Sequence, residues 1–351
     1  MIDYLNENKD LIEKLPEFDN HEAVKYFDDP VSGLRGFIAI HRKNQSTPSF
    51  GATRLWSYSN DIDALKDALE LSKMMSYKSA LAGLKYGGAK GVIIAPRGNY
   101  DKNNIMSAYA DVVNEMNGQF ITGTDVGLTL ADIKSIKDKC DYLVGFNGDP
   151  TEFTVFGLYF SIKLSVKRIL KKESLSGISI AIQGVGKIGG ELLRLIYEDA
   201  DKIFISDTDK SLTDSMKNKF PKVEVVSPDE IHKQAVDIFS PCALGHSLNN
   251  KSVSELRCKI VAGGANNQLA SEDIGEILHK NGILYAPDYV VNLGGLISVV
   301  DEYENSEYDE QRILKKIEKI GENLDKIFEI SANNDKPTNI VANEMVKKIV
   351  G

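Results

Sequence analysis

Two lysines and an aspartate draw attention because each sits among small residues: Lys78 in MSYKSA, Lys90 in GGAKG and Asp125 in TGTDVG. Lysines aimed into one cleft repel each other, and partial desolvation also disfavours charge, so one of the two can fall toward neutrality and act as a general base. The other, if it stays charged, can hold a substrate carboxylate. An aspartate beside them could carry a proton to or from a substrate nitrogen. The plainer alternative is that the lysines are solvated loop residues and Asp125 caps a helix. Glycines crowded around Lys90 weigh against it, because they bring backbone close to something.

A second constellation suits phosphate. Gly184, Gly186 and Gly189 form G-x-G-x-x-G within GVGKIGG, between the apolar run ISIAIQ and the amphipathic ELLRLIYE. The first glycine permits the tight turn, the second lets backbone approach a pyrophosphate, and the third lets helix and strand pack closely. Val185, Lys187, Ile188 and Gly190 complete a turn whose N–H groups at the helix start would face the phosphates. Asp207 closes IFISD 23 residues after Gly184, where a carboxylate accepts ribose hydroxyls and repels a 2′-phosphate. Asp209 adds negative charge nearby, and the expected cofactor is NAD. Otherwise the glycines only turn the chain and Asp207 caps the next helix.

The elements that must position these residues follow from periodicity. Gly36 to Arg42 and Gly91 to Pro96 are apolar runs of strand length, and Asp61 to Leu81 has helical spacing after possible caps at Ser59 and Asn60. Gly83 to Gly91, with four glycines in nine residues, is expected to be a loop. A turn-rich break at Gly145 to Pro150 precedes a helix over Val155 to Lys172. Strand-like runs then alternate with helical patterns: 178–183, 202–207, 223–226, 236–240, 259–262 and 283–286, which imply a parallel sheet. Residues 310–349 read as two helices parted at NNDKP. The expected fold class is α/β with two domains, a mixed α/β substrate and oligomerisation domain over 1–148 and a Rossmann-type dinucleotide-binding domain over 149–334, with helix 335–351 as a possible addition to the first.

Composition supports two cores and restricts the function. The 351 residues are 42% hydrophobic, ample for two domains of ordinary size. With 42 Lys and Arg against 51 Asp and Glu, the net charge of −9 argues against nucleic acid as partner. Three cysteines, with no C-x-x-C and no histidine at metal spacing, suggest neither a disulfide framework nor a metal. MIDYLNENKD lacks the charge and apolar run of a signal peptide, and no apolar stretch is long enough to span a membrane. A cytoplasmic location is expected.

Seven blocks in order then resemble the glutamate/leucine/phenylalanine/valine dehydrogenase family: PSFGATRLW, LSKMMSYKSA, GGAKG, ITGTDVG, DIFSPCALG, AGGANNQL and YAPDYVVNLGG. The resemblance implies NAD-dependent oxidative deamination of an L-amino acid to a 2-oxo acid, ammonium and NADH, reversible, in a homodimer or larger homo-oligomer. It assigns Lys90 the activation of water, Lys78 the substrate carboxylate and Asp125 the proton exchange with the amine. It places Asn266 and Asn292 near nicotinamide and substrate, and Cys242 and Ala243 along the cofactor cleft. Phe50, Gly51, Gly123, Leu296 and Val299 would surround the substrate side chain.

Glutamate-type members resemble this chain but have lysine where Phe50 stands and a hydroxyl residue where Val299 stands. Apolar groups there would leave a buried side-chain carboxylate unpaired, which disfavours glutamate. Gly123 with Leu296 is similar to phenylalanine-like and tryptophan-like members. A methyl missing from the pocket wall, with Phe50 to stack on a ring, tilts the expectation toward an aromatic substrate, while a leucine or branched-chain preference stays open. Departures are a shorter stretch around GFNGDPTEF, Leu293 for the alanine of N-A-G-G, and an early stop at Gly351. Two rivals are a silent nucleotide-binding paralogue and a 2-hydroxy acid dehydrogenase; the second would need a histidine base that none of the five histidines supplies.

Overall fold

Seven strands build the first sheet among the residues described in the computed structural model, which are 1–42, 47–243, 245–305 and 307–350. In chain order they are β1 (Ile2–Asp3), β2 (Ala23–Asp29), β3 (Leu34–Arg42), β4 (Ser49–Phe50), β5 (Thr53–Trp56), β6 (Gly87–Ile94) and β7 (Phe120–Ile121). The spatial order is β1-β2-β3-β6-β4-β7, with β5 continuing along β6 after β4. Strands β1 to β3 and β6 pair antiparallel, whereas β4 and β5 run parallel to β6. Helices cover both faces, so β6 is buried along its whole length.

Side chains alternate across this sheet with period two. Phe37, Ala39, Val92 and Ile94 join Leu65, Ala68 and Leu69 of the helix Asp61–Leu81 in one core. Ile38, Ile40, Ala89 and Ile93 meet Ile105, Tyr109 and Val113 of the helix Lys102–Glu115 in the other. Each such side chain, fully buried, contributes about 1.5–3 kcal/mol over exposure. The first helix starts where expected, with the Asn60 side chain accepting from the Asp63 N–H at 3.0 Å.

The expected loop over 83–91 is corrected: Gly87 to Gly91 lie in β6. Their glycines are there because backbones approach closely. A Cβ on Gly88 would lie 2.0 Å from Ser76 N of the helix Asp61–Leu81, and one on Gly91 would lie 2.2 Å from the Tyr109 hydroxyl. Gly88 thus seats the helix on the strand.

The second sheet is wholly parallel, from β8 (Ser179–Gln183), β9 (Lys202–Ser206), β10 (Glu224–Val225), β11 (Ile238–Pro241), β12 (Ile260–Val261) and β13 (Leu284–Tyr285). Its order, β10-β9-β8-β11-β12-β13, is that of a doubly wound dinucleotide-binding sheet, reversing direction between β8 and β11. The helix Pro150–Leu170 opens on an Asp149 cap to Thr151 N and packs with the helix Glu310–Asn334. That long helix ends at Asp335 in the left-handed region, and the helix Thr338–Val350 follows.

The chain divides into two compact units, one of Met1–Gly148 with Val299–Tyr308, the other of Asp149–Ser298 with Asp309–Ile349. The C-terminal helix, a possible addition to the first domain by sequence, falls with the second unit through Ile349. The segment that does join the first is Val299–Tyr308, which begins inside the helix Gly294–Glu304. Among the described residues, no helix is long and apolar enough to cross a membrane.

Candidate active site

In the first unit, sheet register gathers the charges. Gly91 pairs with Thr53, and Thr53 bridges to Thr124. Lys90, Arg54 and Asp125 each stand one residue from that row, so alternation turns them to the face opposite Thr53, the face that carries the helix Asp61–Leu81. On the Thr53 side, the Thr53 hydroxyl meets the Tyr109 hydroxyl at 2.6 Å and that of Thr122 at 2.7 Å, which pins the row.

Lys90 is 5% exposed, and its Nζ donates to Asp125 Oδ2 at 2.5 Å. Arg54 Nε donates to the same oxygen at 3.2 Å. Burial alone would raise the Asp125 proton affinity, but the Lys90 and Arg54 charges outweigh it and hold the carboxyl well below the usual range. Burial likewise opposes the charge on Arg54, and Asp125 and Asp67 overcome it. The charge facing Lys90 is therefore a carboxylate. Lys78 is half-buried on the last turn of the helix Asp61–Leu81, two residues past the Ser76 backbone that Gly88 touches.

Phe50 is 1% exposed and packs edge-on against Tyr86 and Tyr303, with ring centroids 4.8 and 5.2 Å away. Its ring is thus already engaged by two aromatic neighbours. A Cβ on Gly51 would strike the Ala89 carbonyl, and one on Gly123 would lie 2.8 Å from the Val144 carbonyl oxygen. Gly123 is therefore required by a backbone approach, which corrects the inference that its missing methyl enlarges a pocket. Val299 is half-buried on the helix Gly294–Glu304.

In the second unit, Gly184 takes φ +87° and its N–H bonds Ser206 O, while a Cβ on Gly189 would lie 1.9 Å from Gly184 O. A Cβ on Gly186 would meet open space. Gly186 caps the helix Lys187–Ile196 with no side chain to satisfy its first N–H groups, the setting that takes a phosphate. Val185 and Gly190 are buried, Ile188 is half-buried and Lys187 is exposed. Asp207 Oδ2 accepts from Val185 N at 2.9 Å, so the carboxylate braces the glycine turn. The cap of the next helix is Asp209, which accepts from Ser211 N at 2.9 Å.

Cys242 and exposed Ala243 follow β11, where the sheet order reverses, and Ala243 abuts the position of a Gly184 Cβ at 2.8 Å. Ligands of doubly wound sheets sit outside the carboxyl ends of strands at that reversal. Asn292 Nδ2 donates to Asn266 Oδ1 at 2.8 Å, and Asn292 Oδ1 is buried with no partner among the described residues. Such an orphan acceptor fits an amide or ammonium donor from a ligand. Leu296 is buried on the following helix. Among the described residues, no group of His, Cys, Asp and Glu is placed to hold a metal ion.

Sequence reasoning missed several residues here. Arg54 lay in PSFGATRLW but reads as an ordinary strand arginine until register sets it beside Asp125. Asp288 is buried and takes Asn267 N at 2.6 Å and the Tyr285 hydroxyl at 2.9 Å, thereby fixing the loop that carries Asn266. Glu302 accepts from the N–H groups of Gly145, Phe146 and Asn147, each at 3.1 Å.

Comparison with known proteins agrees with the two-domain fold. Residues 19–142 match the family described as Glu/Leu/Phe/Val dehydrogenase, dimerisation domain, and residues 145–348 match Glutamate/Leucine/Phenylalanine/Valine dehydrogenase. Leucine dehydrogenase of Geobacillus stearothermophilus is 39% identical over 343 residues, covering 95% of this chain and 92% of that protein. Phenylalanine dehydrogenase of Lysinibacillus sphaericus is 35% identical over 353 residues, with 98% and 91% covered. The crystal structure of L-tryptophan dehydrogenase from Nostoc punctiforme superposes with a TM-score of 0.80 at 39% identity, covering 94% of this chain and 96% of that one. With both sheets, the glycine turn and the Lys90–Asp125 pair in place, the chain belongs to the glutamate/leucine/phenylalanine/valine dehydrogenase family.

Proposed function

We propose that this protein is an NAD-dependent dehydrogenase that oxidatively deaminates an apolar L-amino acid, reversibly, to the 2-oxo acid and ammonium. The observation that carries the reading is the buried Lys90 in contact with Asp125, both turned to the face of the helix that bears Lys78. Lys78 holds the substrate carboxylate. Asp125 exchanges a proton with the substrate nitrogen, and Lys90, once its own proton has passed to Asp125, takes a proton from the water that attacks the imine carbon.

NAD, when bound, accepts the substrate's α-hydrogen with its electron pair. Gly184 to Gly190 receive its phosphates, Asp207 its ribose, and Cys242, Ala243, Asn266 and Asn292 the nicotinamide end. The residues assigned to the substrate side chain are Phe50, Gly51, Gly123 and Val299 in the first unit and Leu296 in the second. Phe50 and Val299 offer no charge or donor to a second carboxylate, which supports an apolar substrate over glutamate. Relatives at 39%, 40% and 35% identity are named for leucine, tryptophan and phenylalanine, so identity does not rank these. With the Gly123 argument removed, the aromatic preference has no structural support, and the reading stops at apolar.

The enzyme acts as a homo-oligomer in the cytoplasm, a reading supported by the description of the family matched over 19–142 and by three free cysteines. Lys90→Ala tests the chemistry. Turnover should fall at least about 1,000-fold while NADH still binds with unchanged affinity; a retained rate would remove Lys90 from this role.

A further inference from the structure

Asp125 is held more firmly than an ion pair with Lys90 requires. It sits beyond β7, in a segment tied to β5 by the bond from Leu55 N to Val126 O at 3.0 Å. Arg54 leaves that same β5, and its Nε reaches the Oδ2 that Lys90 also contacts. Its Nη1 turns the other way, to Asp67 Oδ2 at 2.9 Å and Oδ1 at 3.2 Å on the helix Asp61–Leu81. The Tyr58 hydroxyl donates to that Asp67 Oδ2. Arg54, Asp67 and Asp125 side chains are 21%, 23% and 21% exposed, so this is a partly desolvated network with stronger coupling than a solvent-exposed pair has.

We propose that Arg54, anchored by Asp67 and Tyr58, is a positioning residue that fixes the Asp125 carboxylate in register with Lys90 for proton exchange. The inference rests on the function proposed above. A planar guanidinium bridging two carboxylates sets both distance and angle, which a lysine ammonium cannot reproduce. Two cations on Oδ2 direct the exchanged proton to Oδ1. The step is then a single proton transfer, in which the substrate N–H bond breaks, an O–H bond forms at Oδ1, and solvent later takes the proton. Small errors in such a placement cost rate more than binding.

The test is a double-mutant cycle in the full-length enzyme, using Arg54→Lys, Asp67→Asn and Asp125→Asn. Asp67→Asn and Arg54→Lys should each lower kcat about 10-fold or more, with amino acid KM within about 2-fold and NADH affinity unchanged. In the Asp125→Asn background the same changes should cost less than about 2-fold, because the group they position is gone. Equal losses with and without the Asp125 carboxylate, or losses confined to KM, would overturn the proposal. If Arg54→Lys does not fold, Asp67→Asn and Tyr58→Phe carry the cycle. A wild-type chain that oxidises no amino acid would refute the proposed function instead. The contact is then read from urea unfolding of the same cycle, where additive Arg54 and Asp125 effects would overturn it and coupled effects would support it.

Discussion

Charge at Asp125 is the residue-scale feature from which the chemistry follows. The Lys90 and Arg54 charges hold this half-buried carboxyl well below its usual range, so at neutral pH it is ionised and begins as a proton acceptor. Asp125→Asn keeps the shape but loses that acceptor, and kcat should fall at least about 100-fold with NADH affinity unchanged. In the proposed function, cofactor choice rests on one side chain as well. Asp207→Ser removes the charge that would repel a 2′-phosphate and also the brace on Val185 N. The ratio of kcat/KM for NADP to that for NAD should rise at least about 10-fold, while the NAD rate itself drops. An unchanged ratio would detach Asp207 from ribose recognition.

At the scale of elements, the seam between β6 and the helix Asp61–Leu81 sets where Lys78 lies. Gly88→Ala would place a methyl 2.0 Å from the Ser76 backbone, which cannot yield as a side-chain end can. The helix must shift, costing about 1–3 kcal/mol in urea unfolding and reducing kcat/KM at least about 10-fold. The same helix covers two histidines. His21 Nε2 meets Leu69 O at 3.0 Å and Ser72 Oγ at 3.1 Å, and the His41 ring lies 4.8 Å from that of His21. Burial holds His21 at about 4 and His41 at about 3, against an ordinary 6.5. Between those values and 6.5 the unfolded chain binds protons that the folded chain refuses, so stability is full above pH 6.5 and falls as the pH drops. The loss should reach about 2 kcal/mol for each histidine, on the order of 4 kcal/mol together, by pH 5, measured by urea unfolding, and His21→Gln with His41→Gln should flatten it.

This scale also shows what the sequence could reveal. The helix Asp61–Leu81 and every strand of the second sheet could be placed to within a few residues, because their apolar periods are uninterrupted. Strand β6 could not, since its glycines answer to Ser76 and Tyr109, neighbours distant in sequence. Lys78, Lys90 and Asp125 stood out by type and setting. Arg54 did not, because only the Thr53 register brings it to Asp125.

Across the whole molecule, each compact unit carries one half of the proposed chemistry. The first holds the lysines and Asp125, and the second holds the glycine turn, Asp207 and the two asparagines. The chain passes between the units after residues 148, 298 and 308, so neither unit is a single uninterrupted segment. Truncation at 298 would deprive the first unit of Tyr303, which packs on Phe50, and of Glu302, which binds three N–H groups. The proposed oligomer predicts a sedimentation mass at least twice 38.8 kDa, and a monomer at micromolar concentration would contradict it. Initial rates of NADH formation with leucine, valine, isoleucine, phenylalanine, tryptophan and glutamate, each repeated with NADP, decide whether the protein is an apolar amino acid dehydrogenase. Turnover is expected with NAD and at least one apolar L-amino acid, at a kcat/KM at least about 100-fold above that for glutamate. No turnover with any of them, or glutamate with NADP as the best pair, would contradict that reading.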